Sequence, residues 1–201
     1  MEPASAEQKE QLAQALGEAE RLNRFVGNLL DMVRIEAGSL EKTIEPVDLV
    51  DSVASAVHDL RSILGANQVS IDIAPDLPLV RVDPQLFHHC LINLIENAAK
   101  YGRVGAPIGV RARREPGALM LEVIDEGPGL PAGQEKLIFE TFTRLEGTDR
   151  TGGTGLGLAI VKGFAEAMGL SVSAANRLDG DGAVFTIRFP EESLMKGDLD
   201  V

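Results

Sequence analysis

The sequence predicts an α/β (α+β) two-layer sandwich, a mixed and mostly antiparallel sheet with helices on one face, preceded by one long N-terminal helix. Three observations predict it. Leu12, Ala15, Ala19, Leu22, Val26, Leu29 and Val33 step by three and four alternately, the a/d seam of helices packed side by side. After Lys42 the pattern changes to short units in which period-two segments alternate with helical-period segments. Between two of the period-two segments, Glu115-Pro116-Gly117 is a turn that joins them as an antiparallel hairpin.

The first helix is expected from about Ala6 to Ala37, with Ser5 and Gln8 as a capping box and Gly38 just past the end. Thr43–Pro46 reads as extended, and Asp48 caps a second helix whose Val50, Val53, Val57, Leu60 and Leu64 form one stripe. Val69–Ile73 and Leu79–Val82 are short strands, followed by Asp83-Pro84, a cap with proline at the first helical position, and a helix to about Tyr101. Ile108–Arg113 and Leu119–Ile124 are the hairpin strands. A helix near Leu156–Met168 and strands at Ser171–Ala174 and Ala183–Phe189 complete the chain. This divides it into an arm at 1–38, a compact domain at 42–190 and a tail at 191–201.

Composition narrows the function classes. Of the 201 residues 19 are Lys or Arg and 31 are Asp or Glu, a formal net charge of −12 that repels a phosphate backbone, so no nucleic-acid partner is expected. The single Cys90 excludes a disulfide framework. No apolar run approaches the roughly 18–20 residues of a membrane span, and Met1–Ser5 lacks a signal pattern, so a soluble cytoplasmic segment without membrane contact is expected.

Four stretches carry chemistry. Asn93, Asn97, Lys100 and Tyr101 share one face of a helix, and their neighbours Leu91, Ile92, Leu94, Ile95 and Ala98 are apolar. Buried amides are costly without partners, an amide oxygen can ligate a hard cation such as magnesium, and Lys100 can hold phosphate oxygens. The strand Leu121–Ile124 ends in Asp125 and breaks into Gly127-Pro128-Gly129, an acceptor beside bare backbone that suits a flat base with an exocyclic amine. Gly152-Gly153-Thr154-Gly155-Leu156-Gly157-Leu158 opens a helix, so backbone N–H groups there can face a phosphate chain. Eight of the 21 glycines lie between Gly127 and Gly157, which marks the segment between as a flap. Phe139 and Phe142 are expected to anchor it, and Arg144 and Arg150 to reach polyphosphate. A Rossmann fingerprint is excluded because no apolar strand precedes the glycines, and a P-loop because no Gly-Lys-Ser/Thr occurs.

These stretches resemble the boxes of sensor histidine kinases. Asn93–Tyr101 is similar to the N box, Asp125–Gly129 to the G1 box, Ile138–Phe142 to the F box and Gly153–Leu158 to the G2 box, in that order. The arm Glu20–Met32 is similar to the potassium-responsive, Kdp-type branch. The resemblance implies a Bergerat-type fold that binds ATP or ADP with magnesium. By the same resemblance Asn97 ligates the metal, Asn93 sits close to it and Lys100 touches phosphate. Tyr101 lies by the adenine, Asp125 accepts from its amine, and residues 130–152 form a lid.

The resemblance also implies a homodimer through the arm, which corresponds to the second helix of a dimerisation hairpin. It implies phosphoryl transfer to a histidine and onward to a response regulator receiver domain, in a parent anchored in the inner membrane. The acceptor histidine belongs on the first helix of that hairpin and is expected to lie outside this chain. His58-Asp59-Leu60-Arg61 imitates an acceptor box but follows the arm and reads as an ordinary amphipathic helix, while His88 and His89 read as surface and packing residues. Two other classes stay open. One is a related ATPase with Glu96 activating water; the other is a non-catalytic nucleotide-sensing or partner-binding module.

Overall fold

A computed structural model describes residues 6–143 and 155–195. Helix α1 runs Ala6–Glu36 and ends as the sequence predicts. Gly38 takes φ 62°, and its N–H and that of Ser39 donate to Ile35 and Arg34 carbonyls at 3.1 Å. The Ser5 half of the expected capping box lies outside the described residues. The a/d seam is exposed: Leu22, Val26, Leu29 and Val33 keep 42–61% of their surface. The helix instead reaches the domain through Met32 and Ile35, which pack against the core.

The linker after α1 is tied down. Leu40 packs on the core, Lys42 Nζ donates to the Ala167 carbonyl, and Thr43 N donates to Asp83 Oδ2 at 2.6 Å. Strand β1 (Glu45–Val47) follows, then helix α2 (Leu49–Asp59) and the single turn α3 (Arg61–Leu64). Asp48 caps α2 through Oδ1, which accepts from Val50 N at 2.7 Å and Asp51 N at 3.0 Å. The buried stripe is Leu49, Val53, Ala56, Leu60 and Leu64. Val50 is half-exposed, a correction to the expected stripe: Leu49, one residue and 100° away, takes the inward position.

Strand β2 (Val69–Ile73), strand β3 (Val80–Val82) and helix α4 (Pro84–Tyr101) come next. They are followed by β4 (Ile108–Glu115), β5 (Ala118–Ile124), helix α5 (Gly157–Ala167), β6 (Ser171–Asn176) and β7 (Ala183–Pro190). The main sheet has five strands in the order β2-β4-β5-β7-β6. Only β2 and β4 are parallel, and Pro116-Gly117 forms the hairpin turn between β4 and β5, with Gly117 at φ 75°. β3 pairs with β1 in a separate two-stranded ribbon.

The core lies between the sheet and the helices. Leu119, Leu121, Val123, Phe185, Ile187 and Phe189 alternate inward from the central strands, and Phe87 of α4 meets Phe189 edge-on at 5.7 Å. Past Pro190 the chain still packs on the domain. Ser193 and Leu194 are buried, Leu194 bridges to Val80, and Met195 N donates to the Leu79 carbonyl at 2.8 Å. A short apolar residue in register with an open ribbon edge holds the segment there.

Candidate nucleotide-binding site

The site is built where the C-terminal end of α4 meets the chain leaving β5. Asp83 starts α4 by accepting from Gln85 N and Leu86 N, both at 3.0 Å, and Pro84 fits the first turn. The buried face of α4, Phe87, Cys90, Leu91, Leu94, Ile95 and Ala98, fixes its rotation. That rotation brings Asn97 and Tyr101 to one wall of a cavity. The helix stops at Gly102, whose N–H donates to Ala98 O at 2.9 Å.

The opposite wall is the segment Asp125–Leu130. Two glycines let it approach: a β-carbon on Gly102 would collide with the Ala98 carbonyl, and one on Gly127 with the Tyr101 carbonyl. Asp125 is 4% exposed. Its Oδ1 accepts from Gly127 N at 2.8 Å and Ala183 N at 3.2 Å, and its own N–H donates to Ala183 O at 3.0 Å. Burial raises the Asp125 carboxyl above its ordinary pKa, against the pull of those two N–H groups and of the Arg177 guanidinium. Among the described residues Oδ2 has no hydrogen-bond partner. Pro128, Gly129, Leu130, Ile138, Thr143, Leu158, Ala183 and Phe185 complete the cavity, which is mostly apolar around the amide of Asn97 and the carboxylate of Asp125, with the hydroxyl-bearing Tyr101 and Thr143 also in its lining. A flat aromatic ligand with one outward-pointing donor fits such a lining.

A second, more open and polar hollow lies on the far side of Tyr101 and Pro128. There Glu126 lies between Arg103 and Arg177, the latter at 3.7 Å.

The described part of the expected flap borders the first cavity through Leu130, Ile138 and Thr143. A 3-10 turn at Leu137–Phe139 buries Ile138 and Phe139, and Glu140 pairs with Lys162 of α5 at 3.2 Å. Phe139 anchors this segment as expected. Phe142 does not: it is 65% exposed at φ 60°, and only its backbone N–H is engaged, donating to Gly155 O at 3.0 Å. Gly155 has no room for a side chain, since a β-carbon would lie 2.8 Å from the Phe142 carbonyl carbon. At Phe142 this close backbone crossing, rather than its ring, makes the contact.

The structure brings together Asn97, Tyr101, Asp125, Gly129 and Leu158 around one cavity, with Gly127 beneath it. Leu156 is buried at the start of α5, beside Gly155 and Gly157. Asn93 sits where α4 meets α5; its Nδ2 donates to His89 O at 2.9 Å, and a β-carbon on Gly157 would lie 2.8 Å from its Oδ1. Lys100 Nζ lies 4.8 Å from the Tyr101 ring centre, at the cavity's edge and outside its lining. Glu96 does not line the cavity. Arg144, Arg150, Gly153 and Thr154 lie outside the described residues.

His58 is exposed and bonded to Arg61 at 2.6 Å, His88 pairs with Asp59 at 3.0 Å, and His89 stacks on Phe164 at 6.0 Å. Sequence reasoning missed Gly102, Asn176, Arg177, Gly182 and Ala183. Only the Asp179-Gly180-Asp181-Gly182 turn signalled them, and it says nothing of what the turn touches.

A Bergerat-type two-layer sandwich with an acidic acceptor and glycine-framed cavity defines an ATP-binding domain. The chain belongs to the histidine kinase-, DNA gyrase B- and HSP90-like ATPase family, whose model matches residues 82–193. The relatives it is similar to within that family are sensor histidine kinases. It is 41% identical over 170 residues to the sensor protein KdpD of Escherichia coli K12, covering 85% of this chain and 19% of that protein. Full-length ShkA in complex with AMPPNP superposes with a TM-score of 0.77 at 27% identity, over 94% of this chain and 40% of that one. The mycobacterial sensor histidine kinase MprB superposes with a TM-score of 0.65 at 28% identity, over 74% of this chain and 97% of that one. The chain therefore spans about a fifth of the length of the KdpD relative. No helix among the described residues is long and apolar enough to cross a membrane.

Proposed function

We propose that this chain binds ATP with magnesium and serves a sensor kinase that transfers the γ-phosphoryl group to a histidine, for onward delivery to a response regulator. The observation that carries the reading is Asp125: one carboxylate oxygen is fixed by two backbone N–H groups, and the other is left to accept a hydrogen bond at the wall of an apolar cavity. An exocyclic adenine amine is the matching donor. Gly127 and Gly129 let this wall pack closely against Tyr101 and Asn176, where a side chain would collide.

The donor set also fits magnesium. Among the described residues no cluster of His, Cys, Asp or Glu forms a cage, whereas Asn97 offers one amide oxygen, and magnesium is commonly held by one or two protein groups together with phosphates. Bound magnesium neutralises phosphate charge. Asn97 would hold it with Asn93 close by, Tyr101 and Asp125 would fix the base, and Lys100 and the arginines Arg144 and Arg150 would draw charge from the phosphates. Gly155, Leu156, Gly157 and Leu158 stand at the α5 N-terminus, where the phosphate end would lie, and the expected phosphate residues Gly153 and Thr154 precede them in sequence.

The exposed seam of α1 supports homodimerisation in the parent protein, and in that reading Leu29→Lys abolishes concentration-dependent association without unfolding the domain. Retained association would remove the seam from the dimer. The function itself is tested by supplying labelled ATP and a separate acceptor helix. Transfer that requires magnesium and falls about a hundredfold or more in Asn97→Ala supports the proposal. Transfer indifferent to both contradicts it.

A further inference from the structure

Resting on the nucleotide-binding reading above, we infer that Asn176, which lies outside every motif of the sequence, is a positioning residue for the adenine cavity: its side-chain amide substitutes for a strand partner and fixes the segment Asp125–Leu130. Asn176 Oδ1 accepts from Leu130 N at 2.6 Å, and Nδ2 donates to Leu130 O at 2.9 Å. Both backbone groups of one residue are thus satisfied by one side chain, the pattern a neighbouring strand would provide.

The need for such a partner follows from the topology. β5 and β7 stay in register up to Ile124↔Val184, and one further backbone bond, Asp125 N to Ala183 O, closes the ladder. Beyond it, Glu126–Gly129 has no strand beside it, yet Pro128 and Gly129 of this stretch line the cavity. Asn176 stands at the last position of β6, paired with Ala183, so the same end of the β6–β7 hairpin that grips Asp125 also grips Leu130. The wall is held at both ends by one rigid element.

Two glycines make the grip possible. Gly129 takes φ 76°, and a β-carbon there would lie 2.6 Å from Asn176 Oδ1, so the amide reaches Leu130 only because position 129 is bare. Gly182, at φ 124°, leaves no room for a β-carbon against the Asp125 carbonyl, which brings the hairpin close enough for both contacts. Arg177 N closes the hairpin on Gly182 O at 3.0 Å, and its guanidinium faces Glu126. Asn176 itself is exposed, so its amide is not needed to fill the core.

The test combines hydrogen exchange with nucleotide affinity on the whole chain. In Asn176→Ala the Leu130 amide exchanges about tenfold faster or more, while the Ile187 amide in the sheet centre and the melting temperature stay as in the wild type. ADP affinity falls about tenfold, the scale of two lost hydrogen bonds, and discrimination between ADP and GDP narrows. Asn176→Asp, which keeps the acceptor and loses the donor, falls between the two. Unchanged Leu130 exchange, or faster exchange with ADP affinity within twofold of the wild type, overturns the inference. A wild-type chain that protects Leu130 but binds no ADP sinks the nucleotide reading first, and the positioning role with it.

Discussion

Ile35 of α1 lies so tightly over Gly163 of α5 that a β-carbon on the glycine would sit 2.7 Å from Ile35 Cδ1 and 2.8 Å from Cγ2. The contact joins the arm to the helix whose first turn borders the nucleotide cavity. Around it Asp31 faces His89 at 3.9 Å, and Lys42 holds the end of α5 through the Ala167 carbonyl.

Gly163→Leu therefore displaces α1 from the domain without unfolding the sheet. Overpacking of this kind costs about 1–3 kcal/mol, enough to release a helix held by Met32, Ile35 and a tied linker. Limited proteolysis between residues 36 and 43 is expected to speed up, with ADP affinity unchanged. An uncut linker in the variant contradicts the contact.

Asp125 binds the ligand at the expense of the fold. Because burial raises its folded pKa, its contribution to stability is full below the ordinary carboxylate value and is lost as pH rises through the folded value. At neutral pH the buried charge is a burden, so Asp125→Asn, whose Oδ1 still accepts from Gly127 and Ala183, melts about 2–5 °C higher at pH 7. The advantage shrinks to nothing as pH falls below about 4. A variant less stable than the wild type at pH 7 would show that the carboxylate's partners outweigh its desolvation.

None of the three histidines is placed to receive a phosphoryl group. His58 is exposed on α2, a helix that Val53 and Leu60 pin to the core, and neither His88 nor His89 lines the cavity. A receiving nitrogen must lie in line with the γ-phosphate, and none of the three histidines lines the cavity. The purified chain incubated with labelled ATP is expected to carry no acid-labile, base-stable phosphate. Stoichiometric label on His58 by peptide mapping would refute this.

What the sequence disclosed is what is local. The Asp48 and Asp83 caps, Pro84, the Pro116-Gly117 turn and the Gly38 helix stop each depend on a few neighbouring residues and stand where expected. The position of Asp125 at the end of β5 was legible for the same reason, since period-two alternation breaks there. Contacts between distant segments were not. Nothing near Asn176 announces that its amide serves Leu130, 46 residues earlier, because that meeting is set by the β5-β7-β6 strand order. Phe142 misled for a related reason: an aromatic residue in a glycine-rich segment suggests an anchor, but the close crossing with Gly155 turns its ring outward.

The central claim is that Asp125 reads the exocyclic amine of adenine, and comparing ADP with inosine diphosphate tests it most directly. The two differ at that amine, which inosine replaces with a carbonyl oxygen. Calorimetric titration with magnesium present is expected to give the wild type a preference for ADP of about tenfold or more, as a mismatched buried pair implies. In Asp125→Asn, whose amide can turn a donor toward the carbonyl, the preference is expected to collapse or reverse. The same ADP-to-inosine diphosphate ratio in both proteins would contradict the account.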